Sequence, residues 1–259
     1  MNILLSNDDS AFAKGIQVLY QALAKHHNVT VIAPDRNCSG ASNALSLHDP
    51  LRLTKLENGF YAVNGTPSDC VQLGVNTQKF PQPDIVISGI NHGANLGDDV
   101  IYSGTVAAAT EGRHLGCPAL AVSIDGYKDW QFDTAAHVIV TLLDSLSSLP
   151  MNDHQILNIN VPNVSIDELS GWDITRLGSR HKAENMVQSS DPFGRDIFWY
   201  GRLGPEQDAG PGTDFHALAQ HQVSITPISI DMTDHQGLAS LSHWLDNTQL
   251  NSHVHKQGQ

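Results

Sequence analysis

The residues best equipped for chemistry in this 259-residue chain fall in three short stretches. They are Ser6-Asn7-Asp8-Asp9, Pro34-Asp35-Arg36-Asn37-Cys38-Ser39-Gly40-Ala41-Ser42 and Ser88-Gly89-Ile90-Asn91-His92-Gly93-Ala94-Asn95-Leu96-Gly97. Asp8 and Asp9 are adjacent like charges, which repel unless a partner neutralises them. The other polar side chains are mostly hydroxyls and carboxamides, with glycines that let a ligand approach the backbone. Hard oxygen donors of this kind suit Mg²⁺, Mn²⁺ or Ca²⁺ better than a soft metal. For an isolated Asp-Asp, a helix cap or a turn is the ordinary explanation. Convergence of all three stretches on one rim favours a shared cation instead.

A fourth stretch, Tyr102-Ser103-Gly104-Thr105-Val106-Ala107-Ala108-Ala109, has the composition of a small-residue helix start. Its leading N–H groups, beside the Ser103 and Thr105 hydroxyls, form a candidate phosphate cradle. Plain N-capping by Ser103 or Thr105 explains the pattern equally well. GxxxxGK[ST] and GxGxxG are absent, which disfavours nucleoside triphosphate or NAD binding by those devices. Among the fourteen histidines, His26, His27, His114, His253 and His255 read as solvated helix-end or terminal residues. His92 lies inside the Gly/Asn loop but outside any HExxH or HxH spacing. Cys38 reads as a small loop filler, since no partnered base accompanies it.

These loops need a frame to bring them together. Asn2 to Leu5 reads as a buried strand, Ile16, Leu19, Tyr20 and Leu23 recur at helical spacing, and Asn28 to Ala33 reads as the next strand, a β-α-β unit. Asn58-Gly59 marks a hairpin turn within Leu51 to Val63. Thr66-Pro67-Ser68-Asp69 has the cap, the proline and the acidic first turn of a helix start. Strands at Asp84–Ile90, Pro118–Ile124 and Gln155–Val161 then alternate with helices at 105–116 and 133–146. The alternation predicts an α/β fold with a doubly wound, mostly parallel, Rossmann-like sheet over residues 1–165. Residues 166–235 are expected to add an extended C-terminal hairpin region that reaches a neighbouring subunit. Residues 236–259 are expected to form a terminal helix against the main domain and a frayed tail, the whole being one integrated domain.

Composition narrows the function classes. The net charge of −13 opposes nonspecific binding of a nucleic-acid polymer but permits a small phosphorylated ligand with local compensation. Cys38, Cys70 and Cys117 form no CxxC pair, so neither a disulfide framework nor a thiolate zinc site is indicated. No run approaches ~18 apolar residues and no leader is evident, so the expectation is a cytoplasmic protein without membrane insertion.

Read in order, NDD at 7–9, APDRNCSGAS at 33–42, VNGTPSDCV at 63–71, SGINHGANLGDDVIYSGTVAAATEG at 88–112 and the late GTDFHAL and VSITPI segments resemble the survival protein E family, stationary-phase survival phosphatases acting as nucleotidases. The resemblance runs from the first residue to about 230. It implies one divalent metal ion per subunit, Mg²⁺ or Mn²⁺, and hydrolysis of nucleoside 5′- and 3′-monophosphates, with polyphosphate as an additional substrate in some members. Carried over by motif, Asp8, Asp9, Ser39 and Asn91 are the implied metal ligands. Gly40, Asn95, Ser103, Gly104 and Thr105 are the implied phosphate contacts, and Asp8, Asp9 and Asn95 the implied catalytic set. The resemblance also implies a homodimer or homotetramer that exchanges the C-terminal hairpin. Cys38 departs from the pattern, in which arginine is more frequent, and so changes the local charge.

Two other readings compete. A haloacid-dehalogenase phosphatase spaces its aspartates as DxD, unlike the adjacent pair here. The alternative is a non-catalytic, metal-dependent nucleotide-sensing or receiver-like module, since receivers also hold Mg²⁺ on an acidic pair. A receiver needs an aspartate at the carboxyl end of its central strand, where this chain has Ser88-Gly89-Ile90-Asn91. Whether an aspartate or a water attacks phosphorus stays open at the level of sequence.

Overall fold

The structure, a computed structural model, describes residues 1–115, 118–150 and 155–248. Cys117, His253, His255 and the tail expected to fray lie outside the described residues. The first strand, β1 (Asn2–Ser6), buries Ile3, Leu4 and Leu5 in succession. A continuous apolar run of this kind marks a strand covered by helices on both faces. The chain continues through α1 (Lys14–Leu23), β2 (Asn28–Pro34), the hairpin β3 (Leu53–Lys55) and β4 (Tyr61–Val63), then α2 (Pro67–Asn76) and β5 (Ile85–His92). A 3-10 turn at Gly97–Tyr102 leads into α3 (Gly104–Glu111), followed by β6 (Ala119–Ile124), α4 (Phe132–Asp144) and β7 (Ile156–Val161).

The remaining strands are β8 (Gly171–Ile174), β9 (Ser179–Arg180), β10 (Val187–Ser190), β11 (Asp196–Trp199) and β12 (Glu206–Asp208). They are followed by α5 (Asp214–Ala219), β13 (Gln222–Ile228) and α6 (Gly237–Asp246).

Nine strands form one sheet in the order β3-β4-β2-β1-β5-β6-β7-β13-β8. From β4 to β7 all pairings are parallel, while β3 and β13 run antiparallel to β4 and β7. Side-chain alternation along β1 sorts the core into two layers. Ile3 and Leu5 join a cluster with α1 and α4 residues such as Ile16 and Ile139, while Leu4 joins one with Val71 of α2 and Ala108 of α3. The strand order reverses between β1 and β5, and a crevice at the carboxyl ends is expected there.

Local chemistry explains the helix boundaries. At α2 the Thr66 hydroxyl accepts from the Asp69 N–H at 3.2 Å and the Asp69 carboxylate accepts from the Thr66 N–H at 2.9 Å, a reciprocal capping box with Pro67 at the first helical position. At α3 the Ser103 hydroxyl accepts from the Val106 N–H at 3.1 Å.

Part of the region expected as extended hairpins is built into the sheet. Strand β13 lies against β7, and β8 runs parallel to β13. The pairs β10-β11 and β9-β12 form separate two-stranded ribbons. Met1–Ile228 make one compact unit. The described residues from Ser229 onward make a second, which contains α6 and a hydrogen bond between Asp231 Oδ2 and His235 Nε2 at 2.7 Å.

Candidate active site at the carboxyl ends of the central strands

Ser6, the last residue of β1, pairs with Ser88 in the middle of β5, which continues to His92; Asp8 in the loop after β1 and Asn91 near the end of β5 line the same site at the switch point. Backbone bonds then tie the second loop to the first. The Cys38 N–H donates to the Asp8 carbonyl at 2.7 Å, and the Ala11 N–H to the Pro34 carbonyl at 2.9 Å. Ser42 joins the second loop to the 3-10 turn, its hydroxyl donating to the Ile101 carbonyl at 2.8 Å and its N–H to the Tyr102 carbonyl at 3.2 Å.

The result is an open depression of about 220 Å³. Among the residues expected at the site, Asp8, Ser39, Gly40, Asn91, Asn95 and Ser103 line it. Asp9, Gly104 and Thr105 stand outside its lining. Neither aspartate acts as the side-chain cap of α1, whose first turn follows Ala13. Asn7 instead closes the tight turn that precedes α1, accepting from the Ser10 N–H and donating to the Ser10 carbonyl.

The two carboxylates are treated differently. Asp8 is buried, and the Thr105 hydroxyl donates to its Oδ1 at 2.6 Å. Gly104 lies against it so closely that a Cβ there would fall 2.7 Å from the Asp8 Cβ. Burial pushes the Asp8 carboxyl up to about 6; the Thr105 hydrogen bond opposes this and the neighbouring Asp9 charge reinforces it. Asp9 turns to His92: its Oδ2 accepts from the His92 N–H at 3.0 Å and meets Nδ1 at 2.6 Å. The imidazole is held edge-on to Trp130 and Phe132, at 5.5 and 4.8 Å between ring centres.

Asn95 is held from below. Its carbonyl accepts from Asn158 Nδ2 at 2.8 Å and Asn160 Nδ2 at 3.0 Å, and its N–H donates to Asn160 Oδ1 at 2.8 Å. Its carboxamide reaches Ser123 Oγ at 2.7 Å. Ser123, Asn158 and Asn160 are fully buried on β6 and β7. The sequence signals this support, because two asparagines spaced i, i+2 interrupt one face of an otherwise apolar strand, Ile156-Leu157-Asn158-Ile159-Asn160-Val161. His92 has no comparable signal, since its partner is 83 residues away.

The site offers oxygen donors with unused capacity. Ser39 is exposed and Asn91 donates through Nδ2 to the Gly93 carbonyl at 2.8 Å; among the described residues neither Ser39 Oγ nor Asn91 Oδ1 has a hydrogen-bond partner. The side-chain hydrogen bonds of the two aspartates fall on Oδ1 of Asp8 and Oδ2 of Asp9. Among the described residues no cluster of three or more His, Cys, Asp and Glu side chains occurs. The candidate cage combines two carboxylates with neutral oxygens, a donor set that suits a hard divalent cation. Burial raises the Cys38 thiol above its ordinary value, and its Sγ lies 3.9 Å from the Gly65 carbonyl, so it contributes its backbone to the site and not a thiolate.

Comparison with known proteins gives a consistent result. A sequence profile of the family described as survival protein SurE matches residues 3–184. The chain is 57% identical over 245 residues to the 5′-nucleotidase SurE of Pseudoalteromonas atlantica, covering 95% of this chain and 99% of that protein. It is 56% identical to the 5′-nucleotidase SurE of Methylococcus capsulatus, with coverages of 95% and 98%. Among solved structures, the SurE protein of Aquifex aeolicus superposes with a TM-score of 0.82 at 38% identity, over 94% of this chain and 99% of that one.

Proposed function

The chain belongs to the survival protein SurE family, and from that membership we propose that it is a divalent-metal-dependent 5′-nucleotidase, a phosphomonoester hydrolase. The observation carrying the mechanism is the gathering of Asp8, Ser39, Asn91, Asn95 and Ser103 around one depression at the start of α3. The non-catalytic sensing reading is not favoured, because the curated relatives spanning 95% of the chain are named as nucleotidases.

In this reading Asp8, Asp9, Ser39 and Asn91 hold one Mg²⁺ or Mn²⁺ per subunit. A bound divalent ion supplies charge to the nonbridging phosphate oxygens and lowers the pKa of coordinated water. The chain's own groups do the remaining work. Thr105 and Gly104 fix Asp8, and His92 orients Asp9. Ser103 caps α3 and presents its hydroxyl proton to a phosphate oxygen, beside helix N–H groups that favour an anion. The Ser123 hydroxyl can donate as well as accept, so an Asn95 carboxamide turned end for end keeps that contact and points its NH₂ into the depression. Such fixed donors stabilise the charge that develops on phosphorus oxygens in the transition state.

Cleavage of 3′-monophosphates and polyphosphate extends the same reading. So does assembly into a homodimer or homotetramer through the ribbon β10-β11, which exposes Val187, Phe193, Phe198 and Trp199. A cytoplasmic location belongs to the same proposal; among the described residues no helix is long and apolar enough to cross a membrane.

The decisive experiment measures phosphate release from AMP and GMP. Chelation should abolish it, added Mg²⁺ or Mn²⁺ should restore it, and Asp9→Ala should remove metal affinity measured by calorimetry. Full turnover in excess EDTA would refute the metal-dependent reading.

A further inference from the structure

The carboxylate of Asp214 is fully buried at the first position of α5, 117 residues from Gly97. Burying a charge is costly unless hydrogen bonds compensate it. Here three backbone N–H groups do so. Oδ2 accepts from Gly97 at 2.7 Å, and Oδ1 accepts from Gly178 at 2.8 Å and from Phe215 at 3.0 Å. The segments meet closely at this point. Gly97 has a φ of +53°, and a Cβ on it would fall 2.9 Å from both the Gly178 carbonyl oxygen and the Phe215 ring.

The residues on either side of Gly97 are held in the same way. Leu96 packs with Phe215 and Leu218 in a small core of its own. Asp98 accepts from the Arg180 N–H at 3.1 Å and Asp99 from Arg180 Nε at 2.8 Å. Asn95 is fixed by Asn158 and Asn160. From Asn95 to Asp99, then, each residue is gripped by a later part of the chain. This stretch separates Asn95 from Ser103, two of the side chains assigned to phosphate, and the bond from Asp214 falls between them. A shift of the main chain at Gly97 therefore moves one or both relative to Asp8. Where groups must be aligned for reaction, a displacement of about 1 Å costs up to about a hundredfold in rate.

We infer that Asp214 is a positioning residue for the phosphate contacts, acting through the Gly97 N–H. The inference rests on the nucleotidase reading and deepens it, because it names a residue outside the depression on which phosphate binding depends. The hydrogen-bond pattern explains why a carboxylate stands there. Both of its ends accept, whereas a carboxamide has one accepting and one donating end. In Asp214→Asn the oxygen keeps the Oδ1 place, where two N–H groups converge, and the NH₂ group faces the Gly97 N–H. That variant releases the phosphate-site loop selectively and retains the junction of α5 with Gly178.

The test follows two ligands by calorimetry in the unaltered protein and in Asp214→Asn: Mn²⁺ alone, and inorganic phosphate added to the Mn²⁺-loaded protein. Phosphate affinity should fall about tenfold and kcat for AMP about ten- to a hundredfold. Mn²⁺ affinity should stay nearly unchanged, because Asp8, Asp9, Ser39 and Asn91 all precede the gripped stretch. A lowered melting temperature with both affinities intact makes Asp214 a structural residue and overturns the inference, as do equal losses for Mn²⁺ and phosphate. Amide hydrogen exchange of the unaltered protein decides the matter if Asp214→Asn does not fold. The Gly97 N–H should exchange slowly, and more slowly still with phosphate bound; rapid exchange, or exchange indifferent to phosphate, overturns the assignment. If the unaltered protein releases no phosphate from AMP, the nucleotidase reading fails and phosphate affinity alone judges Asp214. Weaker phosphate binding in Asp214→Asn then sustains the positioning role, and binding that is absent or indifferent to the substitution overturns it.

Discussion

Thr105 donates from Oγ1 to Asp8 Oδ1 at 2.6 Å, binding the first turn of α3 to the carboxylate that follows β1. A residue that composition places in a phosphate cradle thus spends its hydroxyl on the aspartate behind that cradle. Ser103, two residues earlier, caps the helix and lines the depression.

Replacing Thr105 with valine keeps the volume and removes the donor. The loss of a hydrogen bond to a charged group, roughly 1.5–3 kcal/mol, should weaken Mn²⁺ binding about ten- to a hundredfold. Calorimetric titration of Thr105→Val checks this; an affinity equal to that of the parent would show that Asp8 needs no such support.

The Asp8 carboxyl, pushed up to about 6 by burial and by Asp9, links stability to pH. Its folded value lies above the unfolded 3.8, so between those values the folded chain holds the extra proton. Stability from this group is greatest at low pH and declines as pH rises through about 6. In chelator, Asp8→Asn should therefore melt at a higher temperature than the parent at pH 7.5, and the difference should shrink toward pH 4. Melting curves of both proteins across that range are the measurement, and a gap that widens toward acid contradicts the assignment.

The same protonation competes with a cation. Below pH 6, metal affinity should fall by up to about tenfold per pH unit, because a ligand must first lose its proton. Mn²⁺ titrations at pH 7 and pH 5 test this, and equal affinities would exclude Asp8 from the ligand set.

His92 holds Asp9 through Nδ1 while packing on Trp130 and Phe132. His92→Phe preserves the aromatic packing and loses the contact. Loss of an outer-shell partner should lower metal affinity or turnover about ten- to a hundredfold with little change in melting temperature. A large drop in stability with unaltered affinity would make the histidine a packing residue only.

Asn160 exchanges two hydrogen bonds with the backbone of Asn95. Asn160→Ala leaves buried polar groups without partners, so it should destabilise the protein by about 2–3 kcal/mol and reduce phosphate release. Urea unfolding with a parallel phosphate assay separates the two effects, and normal stability would show that Asn158 alone secures the loop.

Much of the frame was legible because its causes are local. Asn58-Gly59 does join two antiparallel strands, and Thr66-Pro67-Ser68-Asp69 does build a capping box, since turn conformation and cap geometry depend on residues within a few positions. The insertion of β13 beside β7 was less legible. Gln222 to Ile228 is strand-like in any context, and nothing in its pattern states which neighbour it pairs with or in which direction.

By itself the sequence determined the order of strands and helices, the oxygen-rich character of three loops and, through apolar runs and turn residues, their place at strand ends. Only the tertiary structure decided how the two neighbouring aspartates divide their roles. Asp8 meets a threonine 97 residues away and Asp9 a histidine 83 residues away. Those partners follow from sheet order and register, which arise when nonlocal strands pair and bury their faces, and so lie beyond any pattern written in consecutive residues.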